Sequence, residues 1–341
     1  MKRLIIILIV VIILVIGVVI GLSYPVQRCK YKGIVAKSVF GKTGSGLGEF
    51  NSSCGLAIKG DYLFVAECGN RRIQTLKINT DGSLSPQFVF GKKGKDLGEF
   101  DGLLDLAIKD NYLFIGDASN SRIQVLKINS DGSLSSKSSY GEEGKELGEF
   151  GGFTGLSLSI EKINLFVGDS LNSRIQTATI NQDGSLDFNF TFGKEGQGLG
   201  EFGRYSEPFS GPGAICLVSK GDHLYVADSG NSRLQVMEIK PEGNIVPKFS
   251  FGKEGDKLGE FAMPFDLTIE GDYLFVADLG NARIQVLKIE PNGKLIPKLT
   301  FRKEGNKAEE FGIIASLAVK GNYIYVADGK KNCIHILELI Y

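Results

Sequence analysis

The chain has 341 residues, enough for two average domains or one large repeat domain. With 43% hydrophobic and 23% charged residues it is not a disordered chain, and 45 glycines beside only nine prolines indicate a turn-rich globular protein. The 39 basic and 39 acidic residues cancel, so the sequence lacks the basic excess of a general nucleic-acid binder.

Residues 1–22 are predicted to be a membrane segment. Residues 4–22 form an unbroken apolar run in which Gly17 and Gly21 are the only non-aliphatic members. As a helix, this run would span about 28 Å, close to the hydrocarbon thickness of a bilayer. It is longer than the apolar core of a cleaved signal peptide, and no small-residue cleavage site follows it, which favours an uncleaved signal anchor.

Basic residues on both sides of this run bear on its orientation. Two precede it and three follow it: Lys2, Arg3, Arg28, Lys30 and Lys32. The first two favour a cytoplasmic N-terminus, and the other three oppose that signal. We expect a single-pass membrane protein whose residues 34–341 lie on the extracytoplasmic side, connected to the anchor by a linker of residues 23–33.

From residue 40 onward the chain repeats itself six times. The opening motif reads FGKTGSGLGEF at Phe40, FGKKGKDLGEF at Phe90, YGEEGKELGEF at Tyr140, FGKEGQGLGEF at Phe192, FGKEGDKLGEF at Phe251 and FRKEGNKAEEF at Phe301. The spacings are 50, 50, 52, 59 and 50 residues. A period in this range is typical of solenoids, propellers and other repeat arrays.

Each repeat is predicted to contain four short strands, named a to d in chain order. In the first repeat, strands a to d are expected at residues 55–58, 62–66, 72–78 and 84–90, with Asp81-Gly82 as a hairpin turn. Strands b and c are apolar on both faces, as in sheets packed between neighbouring sheets. Six repeats of four strands predict an all-β fold, a six-bladed β-propeller of four-stranded blades.

The two ends of the repeat region are expected to complete one blade together. The last repeat ends after its third strand, residues 333–339, and a strand resembling strand d, residues 34–40, precedes the first repeat. Pairing of these strands would close the ring and remove an exposed sheet edge.

A second recurring motif begins at the end of strand b. It reads ECGNRRIQ at Glu67, DASNSRIQ at Asp117, DSLNSRIQ at Asp169, DSGNSRLQ at Asp228 and DLGNARIQ at Asp278. With the preceding L-[FY]-V-[AG] and the upstream GEF, residues 34–341 resemble the NHL-repeat family, which implies a β-propeller, commonly six-bladed. The sixth copy, DGKKNCIH at Asp328, departs from the motif because Cys333 replaces the arginine.

The motif residues are interpreted as structural. A carboxylate and a guanidinium across the tight b–c loop can form a bidentate pair, and the asparagine suits a left-handed turn position. The predicted pairs are Asp117–Arg122, Asp169–Arg174, Asp228–Arg233 and Asp278–Arg283. The phenylalanines of the GEF triplets are expected to pack between blades: Phe50, Phe100, Phe150, Phe202, Phe261 and Phe311.

Enzyme chemistry finds little support in the sequence. The glycine-rich motif is not a P-loop, because it lacks the G-K-[ST] ending and no helix follows it. Of the two histidines, His223 takes the position of a recurring tyrosine and His335 that of a recurring glutamine, in different blades, so they form no ligand pair. We therefore predict no catalytic residue, no metal site and no cofactor.

One disulfide is a candidate. Cys54 opens strand a and Cys68 follows strand b of the same blade. Strand pairing across the turn at residues 60–61 would place Cys54 opposite Glu67, one residue from Cys68. A bond between the two cysteines is possible if the exported domain meets an oxidising environment.

The fourth repeat carries nine extra residues after Phe202. An insertion that breaks a regular repeat and contains large side chains is a candidate contact site, with a neutral loop expansion as the alternative. The candidate binding residues are Arg204, Tyr205, Glu207 and Phe209.

These observations predict a membrane-anchored propeller that binds a partner protein or small ligand without catalysis. The alternatives are a propeller-type lyase or hydrolase and an RNA-binding propeller, although mixed charges in the d–a loops give no basic surface for nucleic acid.

The linker would enter on the turn face, defined by the a–b and c–d turns (residues 60–61 and 79–83 and their counterparts). The opposite loop face, with the d–a and b–c loops (residues 41–52 and 68–71 and their counterparts), would point away from the bilayer.

Overall fold

The structure, a computed structural model, describes residues 31–152, 155–205, 211–302 and 311–341. The predicted membrane segment, residues 1–22, lies outside the described residues, as does most of the linker. Within the described ranges, no helix has the length and apolar character needed to cross a membrane.

The described chain is organised as six four-stranded antiparallel sheets, the predicted blades. The first strand is β1 (Gly33–Phe40). Blade 1 contains β2 (Ser53–Lys59), β3 (Tyr62–Glu67), β4 (Arg72–Ile78) and β5 (Leu84–Phe90). Blade 2 contains β6 (Leu103–Lys109), β7 (Tyr112–Asp117), β8 (Arg122–Ile128) and β9 (Leu134–Tyr140). Blade 3 contains β10 (Leu156–Glu161), β11 (Asn164–Asp169), β12 (Arg174–Ile180) and β13 (Leu186–Phe192).

The second half of the chain continues this order after a small two-stranded antiparallel sheet, β14 (Arg204–Tyr205) and β15 (Gly211–Pro212). Blade 4 contains β16 (Ile215–Lys220), β17 (His223–Asp228), β18 (Arg233–Ile239) and β19 (Ile245–Phe251). Blade 5 contains β20 (Pro264–Glu270), β21 (Tyr273–Asp278), β22 (Arg283–Ile289) and β23 (Leu295–Phe301). Blade 6 contains β24 (Ile314–Lys320), β25 (Tyr323–Asp328), β26 (Cys333–Ile340) and β1.

Burial within a blade decreases from the middle strands to the outer strand. Strand b of blade 1 is buried at every position but its first, whereas the outer strand β5 has exposed and half-buried residues along most of its length. The six GEF phenylalanines are all buried, and Phe50 packs in a cluster with residues of blades 1 and 6. The prediction that they pack between blades is confirmed.

The ring closes as the sequence predicted. Strand β1 pairs antiparallel with β26, from Gly33 opposite Ile340 to Phe40 opposite Ile334. The packed region also begins before residue 34, because Tyr31 is buried and its ring lies 4.8 Å from that of Tyr273. The last residues assigned to the linker are therefore part of the propeller.

A buried carboxylate organises each of the first five b–c loops. In blade 5, both oxygens of Asp278 accept hydrogen bonds: Oδ2 from Arg283 Nε at 2.7 Å and Asn281 Nδ2 at 2.9 Å, and Oδ1 from the backbone N–H of Ala262 at 2.7 Å. Gln285 Nε2 also donates to Oδ2, at 3.1 Å. Asp278 is fully buried, so these donors replace the water that would otherwise solvate its charge.

The arginine is not bidentate on its carboxylate, which corrects the sequence prediction. In all five blades only Nε donates to the acid, at 2.7–3.0 Å. The remaining guanidinium donors of Arg283 bind backbone carbonyls of the preceding d–a loop, among them Lys257 at 2.9 Å and Glu260 at 2.8 Å. Each arginine therefore fastens the incoming d–a loop to the b–c loop of its own blade.

The predicted role of the asparagine is also wrong. The left-handed residue is the next one along, Ala282 in blade 5 with φ 49°, while Asn281 ends a short 3₁₀ turn, Leu279–Asn281. Equivalent 3₁₀ turns occur at Ala118–Asn120 and Ser229–Asn231. The asparagine instead uses its side-chain amide to bridge the carboxylate and a d–a loop carbonyl, that of Gly255 at 2.9 Å.

Blade 6 keeps the carboxylate but changes its partners. Asp328 Oδ2 lies 3.1 Å from His335 Nε2, and the backbone N–H of Gly312 donates to the same oxygen at 2.7 Å. Burial raises the pKa of Asp328, but the His335 hydrogen bond and the backbone N–H groups of Gly312, Lys331 and Ile313 outweigh it and lower this pKa to about 2. The carboxylate thus stays ionised although Cys333 occupies the position of the arginine.

We expect Arg283→Ala to destabilise the domain by about 3 kcal/mol, because the substitution leaves Asp278 buried without its cation. Urea unfolding of the variant and the wild type would measure the difference. Arg204→Ala is the matched control, since Arg204 is exposed and should cost less than about 0.5 kcal/mol. Equal effects of the two substitutions would contradict the structural role of the network.

Candidate functional site

The six innermost strands surround a central cavity of about 290 Å³. Each innermost strand contacts those of both neighbouring blades, and β24 contacts β2, so the wall is continuous. One position in each strand a, directly before a buried leucine, forms a ring around this axis. The ring residues are Gly55, Asp105, Ser157, Cys216, Asp266 and Ser316.

The two carboxyl groups of the ring come from blades 2 and 5, which lie three blades apart and therefore on opposite sides of the axis. Asp105 Oδ2 accepts from the Leu158 N–H at 2.8 Å and from Ser157 Oγ at 3.0 Å, both in blade 3. Asp266 Oδ2 accepts from the Leu317 N–H, in blade 6, at 2.6 Å. Each aspartate thus joins its own blade to the next.

The two serines continue the ring in the same way. Ser157 Oγ accepts from the Leu217 N–H at 3.0 Å, and Ser316 Oγ accepts from the Leu56 N–H at 3.1 Å. The second bond connects blade 6 to blade 1, where the propeller closes. These side chains hold the inner strands together, and Ser316 also lines the cavity.

The environment of the ring disfavours ionisation of its acids. Burial raises the pKa of Asp105 to about 6, and burial together with the charge of Asp105 raises the pKa of Asp266 to about 7. Both aspartates are half-buried, so their side chains are open to the cavity but surrounded by protein on their other sides. A charge at either position is therefore poorly solvated. Because the two acids interact, their protons are lost in two steps that belong to the pair.

Cys216 lies in the same ring. Burial and the nearby carboxylates Asp266 and Asp105 raise the pKa of its thiol well above the usual value. A neutral thiol is a poor nucleophile, so Cys216 is unsuited to covalent catalysis here. The chemistry available in the cavity therefore depends on the carboxyl pair.

The sequence analysis missed this ring. Its six positions are aligned in the repeats, but their residues differ from blade to blade, so they belong to no recurring motif. A usable signal was present: two aspartates occur on strands that are otherwise apolar and small, at equivalent positions of repeats two and five. An acid that occurs on the innermost strand of only one or two blades indicates a functional site more strongly than an acid that recurs in every blade.

The predicted contact residues lie elsewhere, in the insertion on the loop face. Arg204 and Tyr205 form strand β14, which pairs with β15. Arg204 Nη1 lies 3.3 Å from Glu195 Oε2 in an exposed ion pair. Glu207 and Phe209 lie outside the described residues, so this site remains a prediction.

The disulfide candidate has a different register from the one predicted. Ser53, rather than Cys54, lies opposite Glu67, because a bulge separates Ser53 and Gly55. This bulge brings Cys54 next to Cys68, and the structure pairs them with Cα atoms 6.2 Å apart, a distance that disulfides commonly span. That the propeller lies in an oxidising environment, which the bond requires, remains a prediction.

Comparison with known proteins agrees with this architecture. Residues 209–237 match the NHL repeat, and residues 52–71, 104–133, 264–282 and 312–334 match the LVIVD repeat. The chain is a six-bladed repeat propeller. No curated protein sequence matches it.

Similar solved structures extend the likeness to most of the propeller. A putative 6-phosphogluconolactonase from Bacteroides fragilis has a TM-score of 0.54 at 15% identity, covering 88% of this chain and 89% of its own. A putative 6-phosphogluconolactonase from Bacteroides uniformis has the same TM-score at 13% identity, and the match covers 86% of this chain and 82% of that one. A chain of a nidogen/laminin complex has a TM-score of 0.52 at 19% identity, and the match covers 82% of this chain and 90% of that one. At such identities these likenesses show the fold alone.

We expect the carboxyl pair to make the propeller less stable as the pH rises from about 4 to about 7. In that range the folded chain binds more protons than the unfolded chain, because the folded pKa values are the higher ones. Asp266→Asn should flatten this part of the stability profile and make the variant more stable than the wild type at pH 8. Thermal unfolding at pH 4, 6 and 8 would measure it.

The control for this measurement is Glu142→Gln, at an exposed d–a loop position outside the cavity. This variant should keep the wild-type pH profile. A profile of Asp266→Asn that runs parallel to the wild type over the whole range would show that Asp266 titrates normally.

Proposed function

We propose that this protein is a membrane-tethered propeller that binds a small cationic ligand in its central cavity without transforming it. The observation that carries the proposal is the opposed pair Asp105 and Asp266 in a cavity whose described lining includes no lysine or arginine. A ligand with two positive groups would replace the two protons of the pair and neutralise both carboxylates. The acids are otherwise costly to ionise, so the cavity favours an occupant that brings its own charge.

The charge of the cavity lining argues against 6-phosphogluconolactonase activity, which is named for two proteins of similar fold. A phosphorylated sugar lactone carries a dianionic group, and anion sites in proteins are built from arginine, lysine or helix N-termini. The described cavity wall offers two carboxyl groups instead, which would repel such a substrate. The proposal therefore follows the charge of the cavity rather than the likeness of fold.

Hydrolysis of a neutral lactone or ester is the second candidate. A carboxyl group with a pKa near 7 is suited to general acid–base catalysis at neutral pH, and burial together with Asp105 raises the pKa of Asp266 to about 7. In such a reaction Asp266 would take a proton from an attacking water molecule. This role would need the same residue in its ionised form.

The proposal includes a membrane tether at the N-terminal side of the propeller. Its support is the apolar run of residues 4–22, together with the point at which the described chain enters the fold. Lys32 donates its backbone N–H to Ile340, and Tyr31 packs against Tyr341, at the end of β26 on the turn face. An anchor that precedes residue 31 would hold this face toward the bilayer and leave the loop face, with the insertion, accessible to a partner.

With putrescine as the probe, we expect binding that strengthens as the pH rises from 5 to 8, because both carboxyls must lose their protons. Affinity should fall about tenfold or more for each pH unit below 6. Isothermal titration calorimetry of the full chain in detergent would measure it. Asp105→Asn and Asp266→Asn should each abolish binding, and Glu142→Gln should not.

Two results would count against this function. Putrescine binding that is indifferent to pH and to both substitutions would remove the carboxyl pair as the site. Steady hydrolysis of δ-gluconolactone that is lost in Asp266→Asn would instead favour the hydrolase.

Labelling on intact cells tests the orientation. We expect a bulky maleimide to modify Arg204→Cys on the loop face faster than Asp81→Cys on the turn face, because the bilayer shields the turn face. The wild-type chain supplies the background from its own cysteines. Preferential labelling at residue 81, or equal rates at both positions, would contradict the proposed orientation.

A further inference from the structure

Blade 6 differs from the other blades at the residues around its buried carboxylate. Strand register places Cys333 opposite Asp328, as Arg283 lies opposite Asp278, and His335 opposite Val326, as Gln285 lies opposite Val276. The arginine and the glutamine of the other blades, neither of which is a usual zinc ligand, are thus replaced together by a thiol and an imidazole. Cysteine, histidine and aspartate are ligand types of zinc.

The three side chains converge at their donor atoms. Asp328 Oδ2 lies 3.1 Å from His335 Nε2, and Cys333 Sγ lies 3.8 Å from the same nitrogen. The three donor atoms all lie within 4.8 Å of one another. Around a tetrahedral zinc ion, the usual bond lengths separate sulfur from nitrogen by about 3.5 Å and nitrogen from oxygen by about 3.3 Å. The nitrogen–oxygen and sulfur–nitrogen separations therefore differ from those of a tetrahedral zinc site by only about 0.2–0.3 Å, and the sulfur–oxygen separation is at most 4.8 Å.

The carboxylate is already oriented for this role. Its other oxygen, Asp328 Oδ1, accepts from the backbone N–H groups of Lys331 at 2.9 Å and Ile313 at 3.1 Å. These bonds fix the plane of the carboxylate and turn Oδ2 toward His335. Outer hydrogen bonds of this kind are characteristic of metal-binding carboxylates.

Burial and charge favour a cation at this place. Asp328, Cys333 and His335 are 0%, 5% and 2% exposed. In blades 1 to 5 an arginine balances the buried acid, and blade 6 has lost that arginine. One Zn²⁺ with a carboxylate, a thiolate and a neutral imidazole gives a net charge of zero, so the ion would restore the balance that the arginine provides elsewhere.

We propose that Asp328 Oδ2, Cys333 Sγ and His335 Nε2 bind one zinc ion, which stabilises the b–c loop of blade 6 in place of an arginine. The mixed sulfur, nitrogen and oxygen donors select zinc over Mg²⁺ and Ca²⁺, which prefer oxygen ligands. Three protein ligands leave the fourth tetrahedral position to a water molecule or other small donor. This site is separate from the central cavity and does not depend on the function proposed for it.

Zinc binding by the full chain, stripped with chelator and held in detergent, tests the proposal. We expect one zinc ion per chain in competition with a chromogenic chelator, and a Co²⁺ form with thiolate charge-transfer absorption and tetrahedral visible bands. Cys333→Ser should weaken zinc binding at least a hundredfold and remove the charge-transfer band. Cys216→Ser, which changes a cysteine outside the cluster, should leave both unchanged.

The double variant Cys333→Arg/His335→Gln is the matched folding control, because it rebuilds the side chains that blades 2 to 5 use at these positions. It should bind no zinc, and zinc should raise the melting temperature of the wild type but not of this variant. The proposal is overturned if the wild type takes up no more zinc than the double variant. Equal zinc affinity and an equal Co²⁺ spectrum in Cys333→Ser would overturn it as well.

Discussion

Each blade of this propeller has to keep one carboxylate charged in a place that water does not reach. That constraint explains most of the recurring motif, since an isolated buried charge is far too costly to tolerate. In the first five blades the arginine balances the charge, and its other donors bind carbonyls of the d–a loop, as Arg283 does with Glu260. The long glycine-rich loops thereby gain a defined position without regular secondary structure. The chain then enters every strand a at the same place, which is what positions the ring around the central cavity.

The sequence was sufficient for the fold because the same pattern was available six times. Strands 72–78 and 84–90 were predicted with the bounds that the structure shows, and so was the pairing of β1 with β26. The details of the b–c loop were predicted less well. A bidentate pair and a left-handed asparagine are reasonable for an isolated loop. The arginine of blade 5, however, also donates hydrogen bonds to backbone carbonyls 23–27 residues upstream. Local sequence does not show that a distant loop supplies those acceptors.

The central site was missed for the opposite reason. Repetition draws attention to what the blades share, whereas Asp105 and Asp266 are significant because their counterparts in other blades are small or uncharged. Their raised pKa values arise from burial and, for Asp266, from the charge of Asp105 across the axis. That proximity exists only after six strands have converged. The same reasoning applies to Cys333 and His335, each of which looked like a single local replacement until the structure placed both beside Asp328.

The closing strand pair has a consequence for how the chain is made. Strand β1 is among the first parts of the propeller to leave the ribosome, but its partner β26 ends about 300 residues later, at Ile340. At typical rates of synthesis, β1 waits for about 15–60 s while the other five blades form. During that time its backbone N–H and C=O groups are an open template for strands of other nascent chains. Spacing between ribosomes on the message, and any chaperone that covers residues 33–40, would then affect the yield of folded protein.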